Sequence, residues 1–143
     1  VIYMSDQGMP NLADPGRQLL QLAYENKIKV QIIPGPSSIS AALAACPFNI
    51  ETFHYAGFLS RSENERKQEL TKLKNFRCPI VILDTPYRLK ALLEDCVNVL
   101  GRQKNALLAL DISGPDEEMI YDSLGNLIQK VTDKKLNFVL VLN

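Results

Sequence analysis

Asp6 lies in a run unlike the rest of the chain, Ser5-Asp6-Gln7-Gly8-Met9-Pro10-Asn11-Leu12-Ala13-Asp14-Pro15-Gly16, directly after the apolar tetrad Val1 to Met4. Read as a strand, the tetrad delivers a carboxylate, glycines and prolines to a strand's carboxyl end. In an open α/β sheet ligands bind at that edge, because the backbone leaves its neighbours there and side chains face a crevice. Gly8 lets a ligand approach the main chain, and Pro10 stiffens the turn while removing one amide donor. The run therefore reads as a ligand loop. Asp6 has two readings, a plain turn aspartate or a ligand contact. Asp14, ahead of Pro15, reads as structural: its carboxylate can cap free amide hydrogens, and proline at the first helical position gives up no needed hydrogen bond.

Further strand-like runs also end in unusual residues: Pro34-Gly35-Pro36-Ser37-Ser38, Asp84-Thr85-Pro86-Tyr87-Arg88 and Asp111-Ile112-Ser113-Gly114-Pro115. If the strands are neighbours, these ends converge on one cleft. Positive charge gathers at Arg61, Arg66, Lys67, Lys72, Lys74 and Arg77. Such a stripe can hold nucleic-acid phosphates, but Glu63, Glu65 and Glu69 interrupt it, and a solvated helix laced with opposite charges is an equal reading. Tyr87-Arg88, an aromatic face beside a guanidinium, is the better candidate for a nucleic-acid contact. His54, the sole histidine, reads as a packed or edge side chain of a strand.

Positioning these residues falls to alternating strands and helices. Pro15 to about Asn26 carries Leu19, Leu20, Leu22 and Ala23 at helical spacing, and Ile28-Lys29-Val30-Gln31-Ile32 alternates like a strand. Ile39 to Cys46 is a small-residue helix stopped by Pro47. Phe53 to Phe58 predicts a strand, and Ser62-Glu63-Asn64-Glu65 has capping-box spacing for a helix to about Asn75. Ile80 to Leu83 is an apolar strand consistent with burial on both faces. Leu89, Leu92, Leu93, Cys96 and Leu100 share one helical face, ended by Gly101. Ala106 to Leu110, Met119 to Tyr121 and Phe138 to Leu142 predict strands, with a helix between Ser123 and Lys130.

With 143 residues, 46% of them hydrophobic, the chain has enough material for one well-buried domain or two small lobes. A formal net charge of +0 means that any nucleic-acid contact rests on a local basic patch. Cys46, Cys78 and Cys96 are odd in number and scattered among apolar residues, a pattern of reduced core thiols in a cytoplasmic protein, with no disulfide or metal site. No membrane span or signal peptide is visible. The chain opens on Val1 and not methionine, which reads as a fragment or as a product that has lost its front end.

Ser5 to Pro10 with Ala13-Asp14-Pro15-Gly16, then Pro34 to Ser38 with its alanine-rich helix, then Gly57-Phe58-Leu59, then Thr85-Pro86-Tyr87-Arg88-Leu89, occur in an order that resembles the tetrapyrrole methylase superfamily, class III S-adenosylmethionine-dependent methyltransferases. The likeness is greatest to its ribosomal-RNA small-subunit methyltransferase I branch. It implies a two-lobed α/β fold with the cofactor cleft between lobes, residues 1–50 being the remainder of an incomplete first lobe and 51–143 the second. It also implies 2′-O-methylation of a cytidine ribose in small-subunit (16S) RNA by a homodimer.

Carried over by resemblance, Ser5, Asp6, Gly8, Pro10, Ser37, Ser38, Leu83, Thr85, Leu108, Ala109 and Leu110 line the S-adenosylmethionine pocket. Tyr87, Arg88, Arg61 and Arg66 face the RNA, and Asp6 and Asp84 are the acidic candidates to activate the acceptor hydroxyl, a choice the sequence leaves open. The resemblance has two departures. The family's preceding strand-helix region, with its Thr-Pro-Ile-Gly-Asn-like loop, does not precede Val1, and Leu110-Asp111-Ile112-Ser113-Gly114 stands where relatives tend to carry Arg-Glu-Leu-Thr-Lys. Methylation of another substrate, or a catalytically silent cofactor-binding or dimerisation module, are the alternatives.

Overall fold

The computed structural model describes residues 1–6, 8–131 and 134–143; Gln7 of the first loop lies outside them. A mixed sheet holds β1 (His54–Phe58), β2 (Ile80–Asp84), β3 (Asn105–Leu110), β4 (Glu118–Ser123) and β5 (Phe138–Leu142) in the order β1-β2-β5-β3-β4. β1 and β2 are parallel and the other pairs antiparallel, so the carboxyl ends of β1, β2 and β3 share an edge with the amino ends of β4 and β5. The unbroken apolar runs of β2 and β5 are buried along their whole length, as strands covered on both faces must be.

Alternation along these strands divides the core. Ile80, Ile82, Ala106, Leu108, Leu140 and Leu142 face a layer of α3 (Glu63–Leu73), α4 (Leu89–Leu100) and α5 (Leu124–Lys130). Val81, Leu83, Leu107, Ala109, Val139 and Val141 face α2 (Ser38–Ala44), which contributes Ile39, Ala42 and Leu43. Within the first fifty residues, α2 is thus the element that packs on the sheet. In α4, Leu89, Leu92, Leu93 and Cys96 form the predicted buried stripe, and Gly101 ends it at φ 97°, a torsion that penalises side chains.

The first fifty residues depart from expectation. Val1 to Met4 and Ile28 to Ile32 form no strand; Val1, Ile2, Met4, Ile28, Ile32 and Ile33 are exposed. Apolar alternation makes a segment strand-competent, but a strand exists only where a neighbour supplies the ladder, and none among the described residues does. The helix α1 (Arg17–Glu25) begins later than Pro15. Gly16, at φ 147°, holds its capping position, and no side chain caps it, so Asp14 is not the cap. The capping box also fails: Ser62 makes no cap bond, and Ser60 instead donates from Oγ to Glu65 (2.6 Å) and from its N–H to Glu69 (2.8 Å). No described helix is long and apolar enough to cross a membrane.

Candidate functional site

A cleft of about 870 Å³ opens on the α2 face at the edge where β2 and β3 end and β5 begins. Segments distant in sequence meet there. Gly8, Met9, Leu12 and Ala13 supply one wall, Gly35 to Ala41 a second, and Asp111 to Gly114 a third, with Leu83, Asn137, Phe138 and Val139 at the sheet edge.

The first two walls touch directly. The Gly35 N–H donates to the Met9 sulfur at 3.1 Å, and a Cβ on Gly35 would lie 3.3 Å from that sulfur. Gly8 sits at φ 72°, with Asn11 and Ala13 also at positive φ (65° and 58°), so the loop is coiled more tightly than ordinary side chains favour. Tyr3 ties the leading segment to this loop by donating its hydroxyl to the Pro15 carbonyl.

The third wall is strained. Asp111 and Ser113 adopt φ 44° and 65°, conformations that non-glycine residues hold only when their surroundings enforce them. Here the enforcement is visible: the Gly114 N–H donates to the Asp111 carbonyl at 2.7 Å, the Asp116 N–H to the Asp111 carboxylate at 3.0 Å, and the Ser113 N–H to Glu117. A Cβ on Gly114 would overlap the Asp111 carboxylate.

The cleft has an apolar floor of Leu83, Ile112, Phe138 and Val139, a rim of serine hydroxyls and backbone groups, and Asp111 as its one charged lining residue among those described. No Lys or Arg is among its lining residues, so it suits a neutral or cationic molecule of nucleoside size better than a polyphosphate. No cluster of three His, Cys, Asp or Glu that could hold a metal occurs among the described residues.

The structure sorts the predicted site residues. Gly8, Ser37, Ser38 and Leu83 meet in the cleft. Ser5 and Asp6 line a hollow of about 370 Å³ with Ala13 and Asp14, and Ala13 also borders the cleft. Pro10 and Thr85 do not line the cleft. Ala109 packs on the cleft's face of the sheet, whereas Leu108 and Leu110 point to the α4 face, because neighbours on a strand point oppositely. The Asp111 to Gly114 turn, expected at the cleft as a strand end, lines it, whereas Met9 and Asn137 were not singled out as site residues. Asn137 precedes an antiparallel strand, whose direction no sequence signal gives.

Three charged residues serve the fold instead. Asp84 is buried and aligned with Ile82, away from the cleft; its Oδ1 accepts from the Thr85 N–H at 2.7 Å and its Oδ2 lies 3.3 Å from Arg88 Nε. That second contact is an ion pair by distance without hydrogen-bond geometry. Arg88 donates to the carbonyls of Leu59 (3.1 Å) and Ser60 (2.6 Å), so its guanidinium is committed to pinning the chain after β1. Arg66 is 6% exposed, and its Nε donates to Asp95 at 2.7 Å. Arg61 and Tyr87 remain exposed.

Residues 1–128 match the tetrapyrrole (corrin/porphyrin) methylases, and the chain belongs to that family. A curated relative from Leptospira borgpetersenii, ribosomal RNA small subunit methyltransferase I, is 37% identical over 135 residues, covering 92% of this chain and 53% of its own length. The protein of that name from Thermotoga maritima is 32% identical over 135 residues, with 94% and 60% covered. The chain thus spans about half the length of these relatives. Among solved structures, uroporphyrin-III-C-methyltransferase from Thermus thermophilus superposes with a TM-score of 0.62 at 16% identity (95% of this chain, 60% of that one). A cobalt precorrin-4 methyltransferase of cobalamin biosynthesis superposes at 0.61 and 15% (89% and 57%). These likenesses show the fold. A further structure of the Thermus thermophilus enzyme, complexed with S-adenyl homocysteine, superposes at 0.58 and 14% (95% and 62%).

Proposed function

We propose that this chain is the cofactor-binding part of an S-adenosylmethionine-dependent methyltransferase acting on small-subunit ribosomal RNA, with the 2′-hydroxyl of a cytidine ribose as acceptor. The meeting of the Gly8, Ser37 and Asp111 segments around one cleft carries the reading. The names of the curated relatives support the substrate. A cytoplasmic homodimer is part of the same proposal.

The residues present fit the cofactor. Gly8, Ser37, Ser38, Leu83 and Asp111 would hold it: backbone groups and hydroxyls for its polar ends, an apolar floor for its base, and a carboxylate in a cleft with no lining cation to oppose a sulfonium. Bound there, S-adenosylmethionine supplies a methyl group open to in-line displacement. The chain's part is to exclude water and align the acceptor. A ribose hydroxyl is a weak nucleophile and gains from a carboxylate within hydrogen-bond reach. We assign that role to Asp6, in the hollow adjoining the cleft, and leave Asp84 to position the β2 end.

Calorimetric titration of the full-length protein with S-adenosylmethionine tests the pocket. Heat of binding is expected in the wild type and is expected to vanish in Gly8→Val, whose φ of 72° excludes a branched side chain. Absence of heat in the wild type overturns the reading. Ribose-methylation mapping of small-subunit RNA from cells lacking the gene tests the substrate. The Leu110 to Gly114 run, which departs from the Arg-Glu-Leu-Thr-Lys pattern that the resemblance implies, favours a second reading in which the substrate differs; binding heat with an unchanged map selects it.

A further inference from the structure

Tyr87 and Lys135 make a contact that the cleft does not explain. The Lys135 ammonium lies over the Tyr87 ring, 4.4 Å from its centroid, and Tyr87 as a residue is 75% exposed. The pair sits at the cleft's end of the sheet: Tyr87 follows the cleft residue Leu83 out of β2, and Lys135 precedes the cleft residue Asn137 into β5. Neighbouring lysines are occupied, Lys134 by Asp116 and Lys130 by Asp122 at 2.7 Å. Lys135 has no ion pair among the described residues, and the adjacent Arg88 is spent on backbone carbonyls.

We propose that Tyr87 and Lys135 form the nucleotide contact beside the cleft, the ring stacking an unpaired base and the ammonium taking the neighbouring phosphate. This rests on the RNA reading given above and assigns Lys135 a substrate-binding role. The chemistry divides between two surfaces: the cleft lacks lining cations and repels no sulfonium, while the cation and aromatic face needed by single-stranded RNA stand outside it. Lys134 steadies this arrangement, since its bond to Asp116 joins the segment before β5 to the strained turn that walls the cleft.

Binding of a fluorescein-labelled single-stranded RNA by the full-length protein across a series of KCl concentrations tests the assignment, alongside calorimetry with S-adenosylmethionine. Tyr87→Ala is expected to weaken RNA binding about tenfold and Tyr87→Phe to restore it, because stacking needs the ring and not the hydroxyl. Lys135→Gln is expected to lower the slope of log affinity against log salt by about 0.7, the share of one phosphate contact on a single strand. Cofactor heat and melting temperature are expected to stay at wild-type values in all three. RNA binding by the wild type with unchanged affinity and slope in Tyr87→Ala and Lys135→Gln overturns this assignment alone. A wild type that binds cofactor but no RNA overturns the RNA reading with it.

Discussion

Arg66 and Arg88 bring positive charge into the body of the fold. A buried guanidinium is tolerated only when a carboxylate and carbonyls replace its water. Arg66 has Asp95 at 2.7 Å and the carbonyls of Ser60 and Arg61, both at 3.3 Å. The pair joins α3 to α4, and Lys67 adds a second cation 3.4 Å from Asp95. Arg66→Ala is expected to cost about 3–5 kcal/mol in urea unfolding, because it strips the buried Asp95 carboxylate of its hydrogen-bonded guanidinium and leaves only the partly exposed Lys67 ammonium beside it. The double variant Arg66→Met with Asp95→Leu is expected to recover much of that loss, having no orphaned charge. A single-variant cost below about 1 kcal/mol, typical of a surface pair, contradicts the role. The same α4 helix carries Cys96, whose thiol is pushed up to about 12 by burial and by the Asp95 charge. It stays protonated and inert in the folded chain.

Asp122, near the end of β4, is bound to both ends of the short helix α5. Its Oδ1 accepts from the Ser123 N–H (2.7 Å) and Asn126 Nδ2 (2.8 Å), and its Oδ2 from Lys130 Nζ (2.7 Å), which spans the helix from its last turn. The Lys130 hydrogen bond, followed by those of Asn126 and Ser123, lowers the carboxyl to about 2 from 3.8. A depressed carboxyl stabilises the fold fully above its unfolded value, and the contribution fades as pH falls from about 4 to about 2. Asp122→Asn is therefore expected to flatten the stability profile within that window while leaving its shape above pH 5 unchanged, read from thermal melts between pH 2 and 7. A parallel profile in wild type and variant contradicts the assignment. Salt weakens the effect, because the Asp122–Lys130 pair is partly exposed.

Across the molecule, what was legible in the sequence follows the sheet. Ile80 to Leu83, Ala106 to Leu110 and Phe138 to Leu142 announce themselves because apolar side chains on both faces leave few alternatives to a central strand. Ile28 to Ile32 alternates apolar and polar, as a one-sided strand does, but has no partner among the described residues, and pairing is a property of two segments that one segment's pattern cannot report. The cleft was half legible: Gly8, Ser37 and Leu83 lie where loop chemistry puts them, whereas Asp84 and Arg66 look like surface chemistry until burial shows their partners. The same division predicts the pattern of amide exchange. The amides of β2, β3 and β5 are expected to exchange only through global opening, and those of residues 1–4 and 29–33, without a ladder, in the fastest class. Adding S-adenosylmethionine to the full-length protein is expected to slow exchange together at Gly8 to Ala13, Gly35 to Ala41 and Asp111 to Gly114, three stretches that share only the cleft. Protection confined to one of the three means that the walls do not enclose a common ligand, and the proposed pocket fails.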